Sequence, residues 1–159
     1  MDFVKKATAI VALITAIVTL AYKFWPQPDP VRKADMAEPR VEAGLTFEQY
    51  LERTDQDPGD LSDEVLARRG ALVQFTVEAT GYKGDGLRLR WEVIDTGTHD
   101  RVLASDAITI TPSADTDRLR PPPVFAPFPD QGGPFVARGE VFAPDGVSLA
   151  EAEMEFARG

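Results

Sequence analysis

The strongest constraint on this chain's fold is a strict two-residue alternation of apolar and polar side chains that begins near Leu72 and recurs to the end. In Leu72 to Thr80 (LVQFTVEAT), Val73, Phe75, Val77 and Ala79 fall on one face and Gln74, Thr76 and Glu78 on the other. Leu87 to Asp95 (LRLRWEVID) repeats the pattern with Leu87, Leu89, Trp91 and Val93 against Arg88, Arg90 and Glu92. Successive side chains of a strand point to opposite sides, so a run of this kind fits a half-buried strand and does not fit a helix. Turn signals separate the runs at roughly ten-residue intervals: Gly81-Tyr-Lys-Gly-Asp-Gly86, Asp95-Thr-Gly-Thr98 and Ala143-Pro-Asp-Gly146.

Three less regular segments complete the series. Arg101 to Thr111 holds a short weak strand followed by Ile108 and Ile110, stopped by Pro112, and Val124 to Phe128 supplies another. Gly133 to Phe142 places Phe135, Ala137, Gly139 and Val141 on one face. Val147 to Phe156 sets Ala150, Ala152, Met154 and Phe156 against Glu151, Glu153 and Glu155. About seven short strands predict a mainly β fold, an antiparallel β-sandwich over residues 71–159.

Residues 71–157 resemble an immunoglobulin-like domain of the kind found on bacterial surface proteins. Trp91 stands at the place of the core tryptophan of the third strand. Gly133-Pro-Phe135-Val-Ala137-Arg-Gly139-Glu-Val141 and the Asp145-Gly146 hairpin look like the penultimate strand and its turn. Phe135 stands where a tyrosine corner has its hydroxyl, and the inter-sheet cysteines are missing. The resemblance implies a fold and carries no activity, because this architecture hosts many functions.

Ahead of the strands, residues 46–70 read as a pair of short helices. Thr46 and Gln49 have the form of a capping box, with Phe47, Tyr50 and Leu51 on one face of a helix ending near Arg53. A second helix is expected from Ser62 to Arg69. Ser62 caps it, Asp63 and Glu64 lie at its positive end, Arg68 and Arg69 lie at its negative end, and Gly70 stops it. Leu61, Val65 and Leu66 would form its apolar stripe. Helices this short need tertiary packing to persist, so both stripes should meet the β domain.

The N-terminal part has a different character. Ala7 to Tyr22 is a run of sixteen residues without charge, Pro or Gly. As a helix it covers roughly 24 Å of a hydrocarbon core about 30 Å thick. Phe3, Val4, Phe24 and Trp25 extend it to a spanning length if Lys5, Lys6 and Lys23 snorkel toward the headgroups. Residues 1–25 are therefore expected to be a single-pass transmembrane anchor, with the lipid bilayer as partner through residues 3–25. The competing readings are a signal peptide cleaved after Thr19-Leu20-Ala21 and a buried core helix. Basic groups are tightly packed before the run and diluted by Asp29, Asp35 and Glu38 after it. That distribution favours an inside N-terminus and an extracytoplasmic domain at the cytoplasmic membrane. Residues 26–45, with Pro26, Pro28, Pro30 and Pro39 among mixed charges, read as an extended tether.

Charge excludes one class of partner. Residues 1–40 carry +2 and residues 41–159 carry −11, so the domain repels polyanions and a nucleic-acid-binding role is set aside. The absence of cysteine removes disulfides, thiolate metal sites and a cysteine nucleophile. No cofactor motif is present.

Three groups of residues remain as candidate sites. Asp55, Asp57, Asp60 and Asp63 place hard oxygen ligands at a loop between helices, which suits Ca²⁺. Against that reading, glycine stands at the fifth position (Gly59) and Leu66 occupies the twelfth, where a bidentate Glu belongs. His99, the only histidine, lies in a turn and reads as exposed. Phe125 and Phe128 sit in the proline-rich strip Arg120 to Pro129. They either cover an open edge of the sandwich or bind a protein partner, since rigid aromatics on a stiff backbone bind at low entropic cost. The functional expectation is a membrane-anchored binding or structural module and not an enzyme. A cytoplasm-facing adaptor and a Ca²⁺-binding envelope module are the alternatives.

Overall fold

The computed structural model describes residues 31–159, and the expected anchor and the first five residues of the expected tether lie outside that range. In chain order the elements are β1 (Lys33–Met36), β2 (Arg40–Thr46), α1 (Phe47–Arg53), α2 (Asp63–Leu66), β3 (Arg69–Gln74) and β4 (Val77–Thr80). They continue with β5 (Leu87–Asp95), β6 (Arg101–Ile110), β7 (Thr116–Leu119), β8 (Val124–Pro127), β9 (Phe135–Phe142) and β10 (Ser148–Phe156). Among the described residues no helix is long and apolar enough to cross a membrane.

The chain is mainly β and every strand pairing is antiparallel. One sheet has four strands in the order β10-β9-β5-β6, and two have three, β1-β4-β7 and β2-β3-β8. The two smaller sheets are consecutive halves of the same three chain segments. Met36 pairs with Val77 and Val77 with Leu119 on one side of the break, and Arg40 pairs with Gln74 and Val73 with Val124 on the other. Pro39, Pro121, Pro122 and Pro123 fall in the gaps, where a missing amide donor interrupts a ladder. Ala37 N, donating to Thr76 O at 3.2 Å, bridges the break between the first two segments.

A single core joins all three sheets. Val73, Phe75, Val77 and Ala79 are buried across the break, as are Leu87, Leu89, Trp91 and Val93 of β5 and Phe135, Ala137, Gly139 and Val141 of β9. Period two holds here because each strand has one face on the core and one in solvent. The Phe75 and Trp91 ring centroids are 6.0 Å apart. Gly139, paired with Trp91, makes room for this contact, since a Cβ there would lie 2.7 Å from Met36 Cε and 3.0 Å from Phe75 Cδ1. On the outer strand β10 the apolar positions are only half-buried, while Glu151, Glu153 and Glu155 are exposed.

At the other margin of the four-stranded sheet, β6 runs unbroken for ten residues where a short weak strand was expected, because β5 templates its whole length. The register slips once, so that Leu103 bulges between the pairs Val93–Ala104 and Ile94–Val102. The Asp106 carboxylate accepts the Ala107 amide at 2.7 Å.

Several expectations are corrected. Most of the expected tether from residue 33 onward is strand, as β1 and β2: Ala34 and Pro39 are buried, and β2 pairs with β3 along its whole length. β1 is only four residues between Pro30 and Pro39, and the bulge at Gly44 breaks the period of β2, so neither gave an apolar pattern to read. The Ser62 cap forms, but α2 ends at Leu66 and Leu61 is 44% exposed. Ala67 and Arg68 form the exit from α2, and Arg69, the expected last residue of the helix, is drawn into β3, where it pairs with Thr46. Gly70 is accordingly no helix stop. It sits inside β3 beneath the Phe125 ring, whose Cζ would be 2.6 Å from a Cβ at that position. The single strand expected over residues 72–80 is divided at Phe75 and Thr76, and β7, a polar strand held by pairing with β4, was not foreseen. The capping box of Thr46 and Gln49 forms as expected, with Leu51 buried.

Candidate binding surface

One end of the four-stranded sheet is organised by a buried carboxylate. Asp95, the last residue of β5, is fully buried; its Oδ1 accepts the Gly97 amide at 3.0 Å and the Gly133 amide at 2.9 Å, and its Oδ2 accepts the Thr98 hydroxyl at 3.0 Å. Pro134 O accepts both the amide (3.0 Å) and the hydroxyl (2.8 Å) of Thr96. These bonds lock the β5–β6 turn onto the loop between β8 and β9. Gly132 permits the approach, since a Cβ there would meet the Asp95 carboxyl group. The Gly133 amide, chief among the donors, holds the Asp95 carboxyl below its ordinary pKa of 3.8, with Thr98, Gly97 and the Arg101 charge adding to it against the opposing effect of burial.

Arg158 clamps the same loop from its other side. It donates to Pro129 O through Nη2 and to Gly132 O through Nε at 3.4 Å. Its guanidinium stands 5.6 Å from the Phe128 ring centroid and 5.8 Å from that of Phe135. Phe128 stacks on Phe135 with centroids 4.8 Å apart and 12° between planes, and Phe156 lies 5.5 Å from Phe135. Beside this stack opens a cleft of about 340 Å³ lined by Arg68, Arg101, Val102, Phe128, Pro129 and Asp130. It combines two guanidinium groups and one carboxylate with apolar surface that includes Val102, 51% exposed. Such a lining suits an extended segment with both apolar and charged side chains.

Phe125 and Phe128, expected as one strip, do not act together. Phe125 packs with Phe47 (5.1 Å) and Tyr50 (5.4 Å), closing α1 onto β8, and Tyr50 donates to Pro123 O at 2.9 Å. Phe128 alone reaches the cleft. Phe125→Ala should therefore destabilise the protein by about 2–3 kcal/mol, seen as a lower urea midpoint with an unchanged slope. Phe128→Ala should cost about 1–2 kcal/mol, because its ring keeps one side toward the cleft.

The four aspartates of the expected Ca²⁺ loop are all exposed, and among the described residues no three His, Cys, Asp or Glu side chains come together in a metal-holding group. Asp57 accepts the Gly59 amide at 2.9 Å and so shapes the turn itself, while Asp63 opens α2. His99 is exposed in its turn, with φ +50°. Sequence reasoning missed Asp95 and Arg158 as clamps. Asp95-Thr-Gly-Thr98 was legible as a turn, but the partner amide of Gly133 is 38 residues away.

No protein-family model matches this sequence, and no curated protein is significantly similar to it.

Proposed function

We propose that this chain is a membrane-anchored, non-catalytic binding module that displays an acidic immunoglobulin-like β-sandwich at the cell envelope and engages a protein partner through the Asp95-organised end. The immunoglobulin-like assignment is supported by the strand orders, three segments facing four strands across one core that includes Trp91 and Phe75. The observation that carries the binding role is the double clamp of Asp95 and Arg158. Together they fix the loop between β8 and β9 before any partner arrives, so little ordering entropy is lost on association. Val102, which is exposed, and the half-buried Phe128 give the cleft apolar contacts beside the charged groups of Arg68, Arg101 and Asp130. Membrane attachment rests on the apolar run of residues 7–22.

Fractionation of cells expressing the full chain, together with alkaline phosphatase or fluorescent protein fused at Gly159, tests the placement. The reading expects the uncut chain in the membrane fraction and active phosphatase. Fluorescence without phosphatase activity would favour the cytoplasm-facing adaptor, and uncut chain in the soluble fraction would end the membrane reading altogether. For the cleft, Val102→Glu should abolish capture of whatever partner cross-links to the wild-type chain, while leaving the melting temperature within about 2 °C.

A further inference from the structure

The break across the three-segment layer opens a second depression, on the outer face of that layer, of about 510 Å³. Residues 31–159 carry 14 basic and 24 acidic side chains, a net −10, yet four arginines converge here, Arg40, Arg53, Arg118 and Arg120, against only Glu38 and Glu42. Arg53 is bound to Glu42 and Arg118 lies 3.7 Å from Glu78. Arg40 and Arg120 are exposed and have no carboxylate within 4.0 Å among the described residues. Folding thus leaves two guanidinium forks unpaired in one groove of a strongly acidic domain.

From this charge complementarity we propose that the groove is a docking site for a short, carboxylate-rich, extended polypeptide segment of a partner protein. A guanidinium presents paired donors that match a carboxylate, so Arg40 and Arg120 can each hold one acidic side chain. Gln74, on the groove floor, has its side-chain amide fixed by donation to Pro121 O at 2.7 Å, which leaves its carbonyl oxygen to receive a backbone amide of the guest. A long polyanion such as nucleic acid would run beyond the groove onto acidic surface and be repelled, whereas a short acidic segment is confined to it. This site is separate from the Asp95-organised end, and it stands whichever side of a membrane the domain occupies.

The test is fluorescence anisotropy of a labelled peptide of alternating Glu and Ala, added to the full chain in nonionic detergent, with a Gln/Ala peptide of equal length beside it. The Glu peptide should bind and the Gln peptide should not, and binding should weaken as salt is raised. The double variant R40Q/R120Q should bind at least about tenfold more weakly at an unchanged melting temperature. R88Q, which removes an exposed charge from the opposite layer, should leave affinity as it is. No binding, equal binding of both peptides, or equal losses from R88Q and R40Q/R120Q would overturn the proposal. Sedimentation showing that the chain self-associates through these arginines would also overturn it, by making a second copy, with its exposed Glu151, Glu153 and Glu155, the occupant.

Discussion

Asp95→Ala is expected to lower the melting temperature by on the order of 10 °C, a large loss for a polar residue outside the apolar core. The substitution removes the fully buried acceptor shared by the Gly97 and Gly133 amides and the Thr98 hydroxyl, so the bonds that tie the β5–β6 turn to the loop between β8 and β9 are lost together. The effect also has a pH signature. Because the folded state holds the Asp95 pKa below its ordinary 3.8, the ionised group's stabilisation is complete above that value and fades as the pH falls through the lower folded one. Thermal melts across pH should therefore show a constant gap between wild type and Asp95→Asn at neutral pH that narrows below about pH 4. Asp117, held low by the Ser113 amide and hydroxyl, titrates in both proteins and cancels from the difference. A gap that stayed constant down to pH 2 would mean that the ionised carboxylate has no special standing.

Phe135→Ala is expected to destabilise the protein by about 3–5 kcal/mol, more than either Phe125→Ala or Phe128→Ala. Phe135 is fully buried, stacked on Phe128 and flanked by Phe156, so truncation empties a volume its neighbours can only partly refill. Phe135→Leu should recover most of the loss, to within about 1.5 kcal/mol of wild type. Denaturant unfolding orders the three phenylalanines. If truncating Phe128 proved costlier than truncating Phe135, the account of this cluster would be wrong.

What could be read from the sequence was whatever depended on local period. β5 repeats its alternation through nine residues, and its bounds and buried face, Leu87, Leu89, Trp91 and Val93, are those the pattern predicts. The inward face of β9 and the capping box at Thr46 were equally local. What could not be read depended on partners distant in sequence. β7 is a tetrapeptide with one apolar residue that is strand only because β4 lies beside it, β1 is four residues between Pro30 and Pro39, and β2 has its alternation interrupted at Gly44. Gly70 shows the same limit in one residue: after a helical pattern it suggests a stop, yet it is required where the Phe125 ring crosses β3. The candidate surface divides likewise. Phe128 was singled out from its proline-rich setting, whereas Asp95 and Arg158 act through Gly133 and Pro129, contacts that no spacing rule encodes.

The form of β6 bears on how this protein behaves at high concentration. A ten-residue outer strand without proline would ordinarily invite a neighbour's strand to extend the sheet, the first step toward an insoluble polymer. The bulge at Leu103 twists one end out of register, and the Asp106 side chain already occupies the Ala107 amide, so an incoming strand meets a bent margin and a donor already engaged. Sheet growth on that side would first have to break a bond internal to the protein, which keeps the flank quiet without recruiting another chain to cover it.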